Sequence, residues 1–317
     1  MSLTLDQYAD FLDTKDLPWP VPPAVDVPRA KPSLHKLPHV RVVLWNIYGT
    51  LLQIPPGGEL LFEHPNDFVM NAALDKTIAE FKMWGSMSRK PGQPSEYMHK
   101  IYEDVLTQQK MAPSGAEKFP ELHSERVWDA IIKRLLQKDY KFDAGFYGSL
   151  NEYSRKIAYF FHASLQATAC YPTTDAALTQ LTNAGLEQGV LADAQCFTMV
   201  QLRRGLDKLG SSHRIDELIP LKNRFLSCDY NGRKPSPRLF RHAVDSFAEK
   251  GIEPSDILHI GSRIDRDIAP AKKAGMKTAL FAGDKSSLGA TPDQLKDPAT
   301  RPDILMTEPD QIAEIVG

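Results

Sequence analysis

The chain has 317 residues, 42% of them apolar, and a formal net charge of -2. That length favours a core with an accessory domain, and the near-neutral charge leaves neither a basic footprint for nucleic acid nor an acidic tail. No run approaches the roughly 18 uninterrupted apolar residues of a membrane helix, and no basic-then-apolar leader opens the chain.

The three cysteines, Cys170, Cys196 and Cys228, follow no metal-type spacing. They read as buried thiols, and a cytoplasmic protein is expected. Residues 1–38 look like an arm. Pro18, Pro20, Pro22, Pro23, Pro28, Pro32 and Pro38 remove backbone donors and hold the segment extended. Before the prolines, Tyr8, Phe11 and Leu12 lie on one side of a short helix over Leu3 to Leu12.

From Val40 to Leu52 the β-branched and apolar run predicts a central strand. The period then changes. Met70, Leu74, Ile78 and Phe81 recur at helical spacing, as do Met98, Ile101, Tyr102 and Val105. Two further sets are Val127, Ile131, Ile132 and Leu135, then Ile157, Phe160, Phe161 and Leu165. Lys90-Pro91-Gly92 and Ala112-Pro113-Ser114-Gly115 are loop signals between them.

After Tyr171-Pro172, helices and strands alternate. Helices are expected over residues 176–184, 202–209, 238–250 and 269–274, and strands over 189–192, 225–228, 257–261 and 277–281. Alternation of this kind builds a doubly wound parallel sheet, here with an inserted helical domain. The domain reading is an arm over 1–38, an α/β core over 39–55 and 165–317, and a helical cap over 56–164.

Ligands in open α/β sheets bind beyond the carboxyl ends of strands. Four strand ends therefore draw the search for chemistry. They are Val42 to Leu52, Gly189 to Gln195, Gly232 to Phe240 and Leu258 to Asp267. In order and content they resemble the four motifs of the haloacid dehalogenase (HAD)-like hydrolase superfamily. The resemblance covers roughly Val40 to Val316 and implies a Rossmann-like core closed by a cap.

It also implies roles that these residues do not fill. The family's nucleophilic Asp is Asn46, its leaving-group acid is Tyr48, and the hydroxyl of its second motif is Ala192, with Thr198 nearby. Lys234 and Asp267 are retained, whereas the Gly-Asp acid is Ser262. An amide is a far weaker nucleophile than a carboxylate, and two neutral oxygens are poor ligands for magnesium. The expectation is a catalytically inactive protein with no metal, its magnesium site lost. It would act on a protein partner or a small anion such as a phosphorylated metabolite, without nucleic acid or membrane.

The anion would sit on Lys234 and the backbone amides of Ile47, Tyr48 and Gly49. The alternatives are an active phosphatase or 2-haloacid dehalogenase with an atypical site, and a purely structural subunit. In the blander readings, Lys234 pairs with Asp267 or Asp229, Asn46 bonds neighbouring strand ends, and Asp193 and Ser262 are turn or cap residues. The scattered histidines then have core or surface roles, and Arg203-Arg204 and Lys272-Lys273 are solvated helix faces.

Overall fold

The computed structural model describes residues 2–86, 92–112 and 115–316. The loop signals at Lys90-Pro91 and Pro113-Ser114 lie outside the described residues. In chain order the elements are α1 (Leu5–Leu12), β1 (Val42–Trp45), β2 (Leu52–Gln53), α2 (Asp67–Glu80), α3 (Pro94–Lys110), α4 (Ser124–Leu136) and α5 (Ala144–Tyr147). Next come α6 (Leu150–Leu165), β3 (Ala169–Cys170), α7 (Thr174–Asn183), β4 (Glu187–Ala192), α8 (Thr198–Leu209), α9 (Ile215–Leu218), β5 (Arg224–Leu226) and α10 (Ser227–Tyr230). The chain closes with α11 (Pro237–Ala248), β6 (Ile257–Gly261), α12 (Ala269–Lys273), β7 (Lys277–Phe281), β8 (Ile304–Met306) and α13 (Ile312–Ile315).

Six strands form one parallel sheet in the order β5-β4-β1-β6-β7-β8. The fold is α/β, with β1 central as its unbroken apolar composition predicts; all four of its residues are buried. β8 was not anticipated. Three residues are too short a run to carry a period.

The predicted strand over 40–52 is cut short at Trp45. Beyond it the Ile47 carbonyl accepts from the amides of Thr50, Leu51 and Leu52, and Gly49 adopts φ +76°. Those residues are apolar because a buried turn needs apolar side chains as much as a strand does. Leu52 and Gln53 then pair antiparallel with Cys170 and Ala169. Likewise β5 stops at Leu226, because Ser227 opens a helical turn.

The helices between β2 and β3 share one buried cluster. It gathers Met70, Leu74, Met98, Tyr102, Val127, Trp128, Ile157 and Phe161, so the four predicted stripes face one another. The arm reaches this cluster too. α1 opens with a capping box between Thr4 and Gln7, and it buries Tyr8, Ala9 and Leu12 there.

The other side of α1 grips α8. Arg203 bonds Asp6 at 2.9 Å and Asp10 at 2.6 Å, while Arg204 bonds Asp13 at 2.5 Å. Arg203 and Arg204 are therefore not a free solvated face, and the arm lies across the surface rather than hanging from it. Farther along, Ser33 pairs antiparallel with Leu305, and the Leu37 amide donates to Ile315.

Candidate functional site

β1 ends at Trp45, and the next residue, Asn46, projects from the carboxyl edge of the sheet with only 7% exposure. Its Nδ2 donates to the Tyr48 carbonyl at 2.8 Å, and its Oδ1 accepts from Lys234 Nζ at 2.8 Å. A carbonyl on one side and an ammonium on the other fix the amide's orientation. The position suits an amide; a carboxylate would turn one oxygen against the Tyr48 carbonyl.

Lys234 follows α10 and is 3% exposed. Its ammonium also donates to Asp267 Oδ1, so the retained lysine bridges the first and fourth segments. Asp229 is not its partner. A cis peptide joins Lys234 to Pro235, and the Lys234 amide donates to Asp193 Oδ1 at 2.7 Å. Asp193 thus braces the Lys234 loop instead of capping a helix.

Asp267 lies at the end of a π-helical turn over Ile264–Ile268 and is 1% exposed. Its Oδ2 accepts from the Arg263 amide at 3.0 Å. A side chain at Gly261 would put its Cβ 2.3 Å from the Asp267 carboxyl carbon, so glycine there lets the carboxylate in. Burial would raise the Asp267 pKa, but the Lys234 ammonium holds it well below the usual carboxylate range.

His259 of β6 completes the buried group. Its Nδ1 lies 3.1 Å from the Leu44 carbonyl, and its Nε2 lies 3.7 Å from Asp267 with no hydrogen-bond partner. Burial keeps the imidazole below its usual value in spite of Asp267. A single histidine inside an apolar strand gives no spacing signal, and the sequence offered for it only the core or surface role expected of every histidine; it is fully buried.

The Tyr48 hydroxyl is tied into the core. It donates to Gln201 at 2.6 Å and lies 2.8 Å from Thr198 Oγ1, and burial pushes its pKa up. Thr198 is consumed there and in accepting from the Gln195 amide, so it does not supply the hydroxyl missing at Ala192. The Gly49 amide donates to Leu52 at 2.7 Å and is not free for an anion. Ser262 is 1% exposed, and its hydroxyl has no hydrogen-bond partner.

Magnesium requires about six hard oxygens in near-octahedral array, normally including carboxylates. Here the first oxygen is an amide already bonded to an ammonium, the second is a hydroxyl, and both Asp267 oxygens have nitrogen partners. This donor set does not fit the ion. Among the described residues no group of three His, Cys, Asp or Glu side chains is arranged to hold a metal.

A cleft opens above these residues, lined by Asn46, Asp193, Lys234 and Asp267 below and by Leu60, Phe62 and Glu121 from the helical side. Glu121 accepts from the Ser227 hydroxyl and from Gln195 Nε2 at 3.2 Å. Burial pushes its carboxyl up to about 7.

At the rim stand three arginines. Glu59 accepts from Arg266 at 2.8 Å and lies 3.2 Å from Arg263 and 3.8 Å from Arg233. None of Glu59, Glu121 or the arginines was singled out from sequence. The signal available was the position of Arg233, Arg263 and Arg266 inside the two segments that carry Lys234 and Asp267. Cys196 and Cys228 lie elsewhere with thiols pushed up by burial, which does not suit a nucleophile.

Residues 231–312 match the family described as HAD-hydrolase-like. Over 108 residues the chain is 28% identical to a glyceraldehyde 3-phosphate phosphatase of Methanopyrus kandleri, covering 34% of this chain and 41% of that protein. A protein of the same name from Methanocaldococcus jannaschii is 31% identical over 34% of this chain and 42% of its own length. The match thus spans about two fifths of each relative. In three dimensions the chain resembles a 2-haloacid dehalogenase from Pseudomonas syringae pv. Tomato DC3000. The TM-score is 0.52 at 16% identity, covering 87% of this chain and 97% of that one, a likeness of fold. The parallel sheet and the helical insert define an α/β fold with a cap, the fold of that neighbour. The HAD-hydrolase-like family match is confined to residues 231–312, and over the rest of the chain the resemblance is one of fold.

Proposed function

We propose that this chain is a non-hydrolytic member of the superfamily that acts by binding a small anion. The observation that carries the reading is the Lys234 ammonium, shared between Asn46 Oδ1 and Asp267 Oδ1. A positive charge occupies the space between the two groups that would otherwise hold a cation, and the nucleophile position is an amide locked by two hydrogen bonds. At the family's nucleophile position neither phosphoryl nor alkyl transfer has a carboxylate to begin from.

The test is turnover. With p-nitrophenyl phosphate and magnesium, and with 2-chloropropionate for halide release, the protein should show no activity above background. Calorimetry should find magnesium binding no tighter than about millimolar. Turnover proportional to protein and absent after Lys234→Met would overturn the reading.

A second reading, a hydrolase with an atypical site, is favoured by Glu121. Its carboxyl, near 7 and in the cleft, has the pKa of a general acid. The phosphatase names of the two archaeal relatives point the same way. Under that reading Glu121→Gln would lower turnover; under the first there is none to lower.

A further inference from the structure

We infer that Arg233, Arg263 and Arg266 form a recognition site for a phosphomonoester dianion, and that Glu59 is its resting occupant. The inference rests on the anion-binding reading above and gives it a place and a ligand class. Three guanidiniums from two separated segments converge on one carboxylate, at 3.8, 3.2 and 2.8 Å. Structural pairing of a glutamate needs one of them. Three planar forks around one acidic group is the arrangement that holds phosphate through several parallel N–H···O bonds.

The site is reachable. The arginine side chains are 26% to 33% exposed and that of Glu59 is 31% exposed. By contrast Lys234 is buried with its ammonium engaged by Asn46 and Asp267, so the floor of the cleft offers an anion less than the rim does.

Glu59 sits on a strap between β2 and α2 that has no helix or strand of its own. Arg263 donates to the Gly57 carbonyl at 3.5 Å and Lys110 to Glu63 at 2.9 Å, and Gln166 ties down the stretch around Glu59. The Gln166 side chain accepts from the Leu61 amide at 2.6 Å and donates to the carbonyls of Glu59 at 3.1 Å and Pro55 at 3.3 Å. The charges around the cleft balance while Glu59 is in place. Arg233, Lys234, Arg263 and Arg266 face Glu59, Asp193, Asp265 and Asp267, and below about pH 7 burial keeps the fifth acid, Glu121, protonated. Withdrawing Glu59 leaves one net positive charge for an incoming dianion. Glu59 is in effect an internal competitor.

The experiment is calorimetry on the full chain with inorganic phosphate and with β-glycerophosphate, comparing wild type with Glu59→Gln. Removing the competitor should tighten binding of both by about tenfold, the equivalent of about 1.4 kcal/mol. Adding Arg266→Gln to that background should reverse the gain. If only β-glycerophosphate responds, the ligand is an organic monoester; if both respond alike, the phosphoryl group alone is recognised. Glu59→Asp, which shortens the reach while keeping the charge, should fall between and guards against a folding defect in the first variant.

An affinity for both anions unchanged within about twofold in Glu59→Gln, or no binding by either protein below about 10 mM, overturns the site. The paired variant Lys234→Met/Asp267→Asn separates the two proposals. Binding lost there but indifferent to Glu59 and Arg266 leaves an anion-binding protein without this site. Hydrolysis of β-glycerophosphate by Glu59→Gln would instead retain the site and remove the non-hydrolytic reading.

Discussion

At the scale of single residues, the centre of the site is a closed exchange of hydrogen bonds. Among the described residues Lys234 is the only cation that bonds Asp267 Oδ1, and both are buried. Lys234→Met should therefore strand a buried carboxylate and cost about 3–5 kcal/mol in denaturant unfolding. The paired Lys234→Met/Asp267→Asn change should recover most of that loss. Asn46→Asp alone should give no phosphatase turnover, because Ser262 still withholds an anionic ligand and the new carboxylate faces the Tyr48 carbonyl. A dehalogenase mechanism needs no metal, so halide release by that variant would mark the other branch.

Two carboxyls give pH dependences of opposite sign. Asp267 is held below its ordinary range, so its stabilisation is complete above about pH 4 and is lost as pH falls below that. Glu121 is raised to about 7, while an unfolded glutamate ionises near 4.3. Between those values the unfolded chain has released a proton that the folded chain keeps, so stability falls as pH rises from about 4.5 to about 7. Glu121→Gln should flatten that limb and raise the melting temperature at pH 8, as thermal unfolding across pH would show.

At the scale of elements, what the sequence made legible follows the length of each periodic run. The stripes of α2, α3, α4 and α6 face one cluster because each repeats over several turns. β1 was legible as a buried strand and Gly49 as a turn, but the strand's last residue was not, since the turn at Ile47 to Leu52 buries the same residue types. Asn46, Lys234 and Asp267 could be brought together by motif order and do meet. Glu59 could not. It belongs to an irregular strap, where no period constrains which way a side chain points.

The arm's role was hidden for a related reason, its partners lying nearly two hundred residues away. Its aspartates are more than half exposed, so their ion pairs contribute little individually. Tyr8, fully buried, matters more: Tyr8→Ala should cost about 3–5 kcal/mol. Arg203→Ala with Arg204→Ala should cost about 1 kcal/mol and raise amide exchange in α1, an effect high salt should mimic.

At the scale of the whole molecule, the helical insert and the sheet are bound to each other at more than the cleft. Gln195, just past β4, accepts from the Ser124 amide at 2.8 Å and donates to the Leu122 carbonyl at 2.7 Å. α1 joins the insert to α8 on another side. Ligand exchange at the rim would then proceed by displacement of the Glu59 strap rather than by swinging the whole insert. Hydrogen exchange with phosphate present should accordingly change over residues 55–62 and leave the amides of α2 and α6 protected.

The clamp of α1 on Arg203 and Arg204 also bears on how the chain is assembled. Asp6 and Asp13 meet partners 197 and 191 residues farther along. During synthesis the arm emerges well before α8 and must wait until α8 has been made. Contacts of such separation carry a large closure entropy and form late. The arm should therefore be the last piece to lock in refolding, as a slow gain of protection in α1 after the sheet has formed. A chain lacking residues 1–15 should lose that phase while the earlier ones keep their rates.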